Sequence, residues 1–378
     1  MIKLENLTKT FTQKSGGTVN AVDNVSLNVP EGEMCVLLGP SGCGKTTTLK
    51  MINRLIAPSA GKIYINGEDT STQDTVTLRR NIGYVIQQIG LFPNMTIEEN
   101  ITVVPRMLGW DKKRCHQRAA ELMSMVALDA KKFLPRYPRE MSGGQQQRIG
   151  VIRALAADPP VLLMDEPFGA VDPINREAIQ NEFLDMQRQL KKTVMLVSHD
   201  IDEALKLGDR IAVFGQGKIV QCASPDELLA KPANAFVGSF LGQDRTLKRL
   251  LLVQAGDVTD QQPTITVKRD TPLAEAFAMM DDNDMRTITV VDNDGKPLGF
   301  VKRREARNAV GRCETLLNTF TVTGKAEENL RVVLSKLYEH NLVWMPIVDE
   351  EGRYSGEISQ DYIANYLSSG RTRRRLNP

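Results

Sequence analysis

Residues 39–46, GPSGCGKT, break an apolar chain with three glycines and a lysine. The run MCVLL before them (34–38) reads as a buried strand, and TTTLKMINRL after them (46–55) reads as a helix. Glycines at this spacing let the backbone turn so that its N–H groups point inward at a phosphate, and the helix that follows adds the positive end of its dipole. Lys45 is placed to reach the β- and γ-phosphates as a point charge, and the Thr46 hydroxyl to ligate Mg²⁺. Gly39, Pro40, Ser41, Gly42, Cys43, Gly44, Lys45, Thr46 and Thr47 are therefore expected to cradle a nucleoside triphosphate. Cys43 is a bystander whose thiol could make the loop sensitive to thiol reagents.

A strand that ends in such a loop belongs in a mostly parallel α/β sheet. VLLMDE (161–166) and TVMLVSHD (193–200) are equally continuous in apolar character, as strands covered on both faces are, with helical stretches such as 175–190 between them. RIAVFGQGKIV (210–220) reads instead as a hairpin at the sheet's edge. The acidic pair Asp165–Glu166 ends its strand where ligands gather in sheets of this kind. Asp165 can hold Mg²⁺, and Glu166 can polarise an attacking water.

Beyond about residue 240 the texture changes to an internal repeat with a constant offset of 57 residues: VVDNDG at 290 matches IVDEEG at 347, and Gly299 matches Gly356. Thr264-Ile265-Thr266 matches Thr321-Val322-Thr323, and TPLAEAFAMM and EENLRVVLSKL both carry helical spacing. Each copy reads as a βαββ unit, and the two are expected to bury one shared core. The expected organisation is 1–240, a connector at 241–262, the pair at 263–368 (copies at about 263–310 and 320–368), and a basic tail at 369–378.

Forty-eight basic against 46 acidic residues leave no global polycation for nucleic acid. Five cysteines without C-x-x-C spacing fit a reducing compartment with neither disulfides nor zinc. MIKLENLTKTF is not a signal peptide, and no run of about 18 apolar residues could span a bilayer. His116 and His340 have no metal-ligand neighbours, and the methionines of LMSMV (122–126) suit a helix core.

Between loop and acidic pair lies MSGGQQQR (141–148). With phosphate loop, SGGQ, MDEP and SHD in this order, residues 1–240 resemble the ATP-binding subunit of an ABC transporter. The resemblance implies an ABC ATPase domain with a parallel core, an antiparallel edge sheet and a helical subdomain. It also implies a self-paired dimer that sandwiches two ATP molecules head to tail. Ser142, Gly143, Gly144 and Gln145 of one copy would then face the γ-phosphate held by the loop of the other. By the same resemblance Phe11 stacks on adenine, Gln87 touches Mg²⁺ and water, His199 holds the γ-phosphate and orients Glu166, and Asp172 lies at the dimer seam. Residues between Gln87 and Met141 would receive a coupling helix from an integral membrane permease. Met141 stands where leucine is usual, a change of little volume.

The repeated unit resembles a tandem CBS pair, a smaller α+β domain. An ABC ATPase with such a pair is similar to the energy subunit of importers for glycine betaine, choline and related osmoprotectants. The resemblance implies a peripheral position on the cytoplasmic face of the inner membrane and a separate solute-binding protein, which would recognise a quaternary ammonium in place of this chain. CBS pairs often hold adenosine nucleotides through a Ser or Thr followed three positions on by Asp. Here those positions are Lys302 and Glu305 in one copy and Ser359 and Tyr362 in the other, with Asp361 displaced by one, so neither copy keeps the pattern.

Two other readings exist. A soluble ABC-type ATPase acting on nucleic acid or ribosomes would need a second cassette or a long coiled coil, neither of which is in the sequence. A CBS-dominated regulator with a degenerate ATPase is opposed by intact Lys45, Asp165, Glu166 and His199.

Lys302, Arg303, Arg304, Arg307 and Arg312 cluster with Glu305 as the one acid, and the tail RTRRR adds four arginines. Anionic lipid attracts such groups by about 1 kcal/mol per charge near its surface, less as salt rises. A chain truncated after Leu367 should therefore respond less steeply to ionic strength in labelled-solute uptake. An unchanged response removes the lipid contact.

Overall fold

A computed structural model describes residues 1–12, 17–87, 90–169, 171–259 and 265–368. Thr264 of the repeat, residues 260–263 and the basic tail lie outside the described residues. Contacts divide the chain into Met1–Leu241 and Gly242–Pro378.

Six strands of the first unit form one sheet in the order Lys218–Ala223, Arg210–Gly215, Met34–Leu38, Thr193–Ser198, Val161–Asp165, Ile82–Val85. Its neighbours are parallel except at the Lys218–Ala223 edge, the expected hairpin. Every residue of the Met34–Leu38, Val161–Asp165 and Thr193–Ser198 strands is buried, which is why their sequences carry no polar alternation until their ends. Pairing is in register there: Leu38 lies opposite Ser198, and Asp165 opposite Val197. The residues that follow these strands emerge side by side.

A second, antiparallel sheet orders Thr18–Val29, Ile2–Thr12, Ala60–Ile65 and Glu68–Asp69. Leu4, Val25 and Ile63 from it pack in one core with Leu37, Leu49, Ile52 and Phe214. Between Gln87 and the signature the chain turns helical. Thr96 and Glu99 close a reciprocal cap on the helix Ile97–Met107, an arrangement that stabilises a helix start by about 1 kcal/mol. Buried Asn100 in that helix accepts from Phe92 N at 2.7 Å and donates to the Phe92 and Met95 carbonyls at 3.1 Å, which fixes the turn of LFPNM.

In the second unit the 57-residue offset carries through the secondary structure. Leu273–Asp282 and Leu330–Glu339 are helices, Thr287–Val291 and Trp344–Val348 strands, and Pro297–Lys302 and Tyr354–Ser359 strands. Asp292 and Asp349 each take two backbone N–H groups in the turns that end at Gly295 and Gly352, whose φ angles are 81° and 79°. Only glycine adopts such a φ without strain.

The expected single shared core is corrected. Each copy has its own: Val267, Leu273, Met280, Ile288 and Val301 in one, Leu330, Val333, Leu337, Met345 and Ile347 in the other. Each copy's helix packs on one face of its own small sheet. Phe300, Phe320 and Trp344 pack ring to ring, with centroids 5.2–5.6 Å apart.

The expected connector is corrected as well: within its described residues, 241–259, Leu250, Val253, Ala255 and Val258 are buried in the second copy's core. Ala255 N–H donates to Glu328 O at 2.8 Å and Gly256 N–H to Ala326 O at 2.9 Å. In reciprocal fashion Cys313 N–H donates to Thr271 O at 2.9 Å and Glu314 N–H to Arg269 O at 3.0 Å, which are the corresponding carbonyls of the first copy. The segment ahead of each copy thus covers the other.

Leu337→Ala should cost about 2–5 kcal/mol through lost burial and a residual cavity. The half-exposed neighbour Val332→Ala should change stability by at most about 0.5 kcal/mol, both measured by urea unfolding.

Candidate functional site

The loop after Met34–Leu38 leads into the helix Lys45–Ile52 through Gly44, at φ 107°. A Cβ at Gly44 would lie 2.3 Å from the Ala21 carbonyl oxygen, so even alanine is excluded on two counts. Gly42 also has a positive φ, 78°, and nothing within 4 Å of where a Cβ would be, so its open side faces free space. Lys45 is buried and donates to the Gly39 and Pro40 carbonyls at 2.6 and 2.9 Å, with Cys43 Sγ 3.7 Å away. Its ammonium is thus held inside the loop's own curve.

Thr46 Oγ1 donates to Asp165 Oδ1 at 2.8 Å, across 119 residues of sequence. A hydroxyl and a carboxylate side by side are the hard oxygen donors that suit Mg²⁺ completed by phosphates and water. Among the described residues no cluster of three or more His, Cys, Asp or Glu could hold a metal alone. Burial raises the Asp165 pKa, while the Thr46 bond and the charges of Lys50 and Lys45 oppose that rise. Tyr84, on the neighbouring strand, is pushed up to about 12 by burial and then by Asp165.

Glu166 leaves the strand with φ 48°, a left-handed conformation that costs a non-glycine residue roughly 1–2 kcal/mol. Its N–H donates to Val197 O at 3.1 Å. Gln87 Nε2 donates to Glu166 Oε2 at 3.0 Å, and His199 Nδ1 lies 3.4 Å from the same oxygen. His199 is 58% exposed at its side chain, so this cluster opens to solvent. The strand register therefore joins Thr46 with Asp165, and Gln87 and His199 with Glu166.

The remaining expected residues stand apart. Ser142 caps the helix Gly143–Leu155: its Oγ accepts from Gln145 N–H at 3.3 Å, and Gln145 Oε1 accepts from Ser142 N–H at 3.1 Å. Among the described residues no hydrogen bond or ion pair links Ser142, Gly143, Gly144 or Gln145 to the phosphate loop. Phe11 is exposed, with the Lys9 ammonium 5.1 Å from its ring centroid. It pairs with Val19, two residues from the Ala21 carbonyl that abuts Gly44. Asp172 is exposed just ahead of the helix Pro173–Leu190.

Residue spacing did not reveal a polar network behind His199, buried at Gln180 and Glu203 and partly exposed at Arg176 and Asp200. Gln180 Nε2 donates to Glu203 Oε1 at 3.0 Å, and Arg176 Nη1 lies 3.7 Å from Asp200 Oδ2 while Nη2 donates to Val171 O at 3.0 Å. These contacts tie the helix after Asp172 to the segment after His199. Their one sequence signal is polar residues on otherwise apolar helix faces. Glu203 is 7% exposed, and burial raises its pKa; bonds from Ser198 and Gln180 and the charge of Arg176 oppose this, and the charge of Asp200 adds to it.

A carboxyl whose pKa is higher folded than unfolded adds stability that is full below the unfolded value and lost as pH rises through the folded one. Glu203→Gln keeps an acceptor for Gln180 and removes that loss. Its melting temperature should exceed wild type at pH 8, and the gap should close towards pH 4. A constant gap in scanning calorimetry would exclude a buried charge as the cause.

A sequence model of the ABC transporter family matches residues 22–169, and the CBS domain matches residues 255–312 and 319–369. The osmoprotectant import ATP-binding protein OsmV of Salmonella typhimurium is 84% identical over 377 residues, 100% of this chain and 99% of that protein. Two Bacillus subtilis proteins also align along nearly their whole length. The glycine betaine/carnitine/choline transport ATP-binding protein OpuCA is 43% identical over 97% of this chain and 96% of its own. The choline transport ATP-binding protein OpuBA is 44% identical over 97% and 96%. Among solved structures, a dimeric ATP-binding cassette in a post-hydrolysis state, bound to ADP and Pi, superposes with a TM-score of 0.54 at 36% identity, over 60% of this chain and 99% of that one.

Proposed function

The chain belongs to the ATP-binding subunits of ABC transporters, and from that premise we propose that it hydrolyses ATP to drive import of an osmoprotectant such as glycine betaine, choline or a related quaternary amine. Full-length likeness to osmoprotectant import ATP-binding proteins supports the solute class. The convergence of Gln87 and His199 on one oxygen of Glu166, beside the Thr46–Asp165 pair, carries the chemistry.

In this reading Lys45 and the loop N–H groups from Gly39 to Thr47 hold the triphosphate, and Phe11 packs on the adenine. Thr46 and Asp165 would hold Mg²⁺, directly or through water, with Gln87 as a further oxygen donor. The ion, when bound, neutralises charge on the β- and γ-phosphate oxygens. Glu166 accepts a proton from water, and its two neighbours fix its carboxylate in position. His199 also contacts the γ-phosphate.

The likeness to a dimeric cassette supports a head-to-tail pair of copies, with Ser142, Gly143, Gly144 and Gln145 of one copy completing the site of the other and Asp172 at the seam. Ser142 and Gly143 are exposed, and among the described residues the signature turn makes no bond to its own loop, which agrees with that arrangement. The helix start at Gly143 offers free N–H groups and a dipole to an anion.

No described helix is long and apolar enough to cross a membrane, so the transport path belongs to integral permease subunits, with this chain peripheral to them. A cavity of about 310 Å³ lined by Arg79, Tyr84, Phe92, Val104 and Arg153, among others, lies beside the helical segment expected to receive their coupling helix. A separate solute-binding protein would deliver the solute. Anionic lipid contact by the basic C-terminal region remains part of the proposal.

The test pairs Glu166→Gln with wild type in cells carrying the full transporter and with purified protein. Loss of the general base should lower turnover about 10²–10⁴-fold and abolish labelled betaine or choline uptake, while ATP gathers the variant into dimers on size exclusion. Wild-type hydrolysis by this variant, or equal uptake of unrelated amino acids by the wild-type transporter, would overturn the assignment.

A further inference from the structure

The three residues after the SGGQ turn anchor the helix Gly143–Leu155 in three directions. Gln146 Nε2 donates to the Pro138 and Met141 carbonyls at 3.0 and 3.1 Å, which ties the helix to the turn before it. Arg148 Nη2 lies 2.8 Å from Glu182 Oε1, on the helix that follows Asp172. Gln147 is 2% exposed, and its Nε2 donates to the Pro167 carbonyl oxygen, one residue after Glu166.

The backbone around Glu166 is thereby held at three points. Its N–H is bonded to Val197 O, its carbonyl accepts from Gly169 N–H at 3.2 Å, and the next carbonyl accepts from Gln147. The first two ties come from the core sheet and the local turn, and the third comes from the signature helix. Gln147 Oε1 is buried and has no partner among the described residues. A residue kept for packing alone would not carry an amide there, since a buried carbonyl without a donor is unfavourable and an apolar side chain of equal length avoids it.

We propose that Gln147 is a positioning residue whose amide ties the signature of each chain to that chain's own Glu166. The inference rests on the head-to-tail arrangement above. There the signature of one copy faces the triphosphate held by the other, while Glu166 of the same copy serves the triphosphate in its own loop. A bond from the helix that carries the signature to the residue after Glu166 links events at one site to the geometry of the base at the other, which is a coupling between sites. Glu166 is held in a left-handed conformation, and release of the Pro167 carbonyl removes one of the three ties that keep the backbone there.

The experiment uses the full chain with Gln147→Met, which keeps length and flexibility without the amide. Three results are expected. Amide exchange at Gly169 and Val171 without nucleotide accelerates about tenfold. ATP hydrolysis loses kcat by about 5–150-fold with KM near wild type, the usual span of site coupling. The Hill coefficient for ATP, above 1 in the wild type, falls to 1.

Unchanged exchange with an unchanged Hill coefficient overturns the inference, as does a wild-type Hill coefficient of 1. A fall in kcat without the other two changes marks Gln147 as packing only and also overturns it. Gln147→Leu, read the same way, serves if Gln147→Met does not fold. Light scattering of Glu166→Gln with ATP separates the two readings. Dimers there leave the arrangement standing whatever Gln147 shows, and their absence removes the arrangement and this inference together.

Discussion

In-register pairing of three buried parallel strands is the constraint on which the rest of the first unit depends. Leu38, Asp165 and Ser198 lie at one edge because each strand is hydrogen-bonded to the next without offset. Glycine turn, acidic pair and histidine then leave the sheet together, and their side chains meet within hydrogen-bond reach. A slip of one residue in any pairing would turn alternate side chains to the opposite face and separate them. Complete burial of these strands opposes such a slip, since both faces are already packed.

Polar contacts refine what the sheet positions. Glu166 bears a strained backbone angle that the core and the signature helix jointly enforce. Behind it, Arg176 and Gln180 on one helix and Asp200 and Glu203 beside the next bind the two segments that carry Asp172 and His199. The buried pair of these, Gln180 and Glu203, is retained in a low-dielectric interior because each finds a partner in the other. The signature end of the helix Gly143–Leu155, by contrast, closes the Ser142 and Gln145 N–H groups on each other's side chains and, among the described residues, leaves those of Gly143 and Gly144 unused, with Gly143 exposed and Gly144 half-buried.

The second unit follows a different logic, duplication with exchange. Two copies of one βαββ unit keep the same lengths in their helix and last two strands and the same aspartate-capped turn, yet their buried faces differ in composition. The reciprocal covering segments explain how two small cores of about ten residues each remain closed: each copy borrows a piece of chain that precedes the other. This arrangement makes the copies interdependent and explains why Leu250, Val253, Ala255 and Val258 of the expected connector are buried.

Local sequence determined a good deal on its own. The strand, glycine turn and helix around Lys45, the acidic strand end, the edge hairpin and the 57-residue period are all short-range patterns, and short-range sterics and apolar periodicity dictate them. Tertiary structure alone decided which polar side chains meet. Gln147 reaches Pro167, Gln180 reaches Glu203, and the segments ahead of the two copies cross over, because hydrogen-bond partners distant in the chain are chosen by packing geometry. No spacing rule encodes a contact whose two ends lie on separately folded elements.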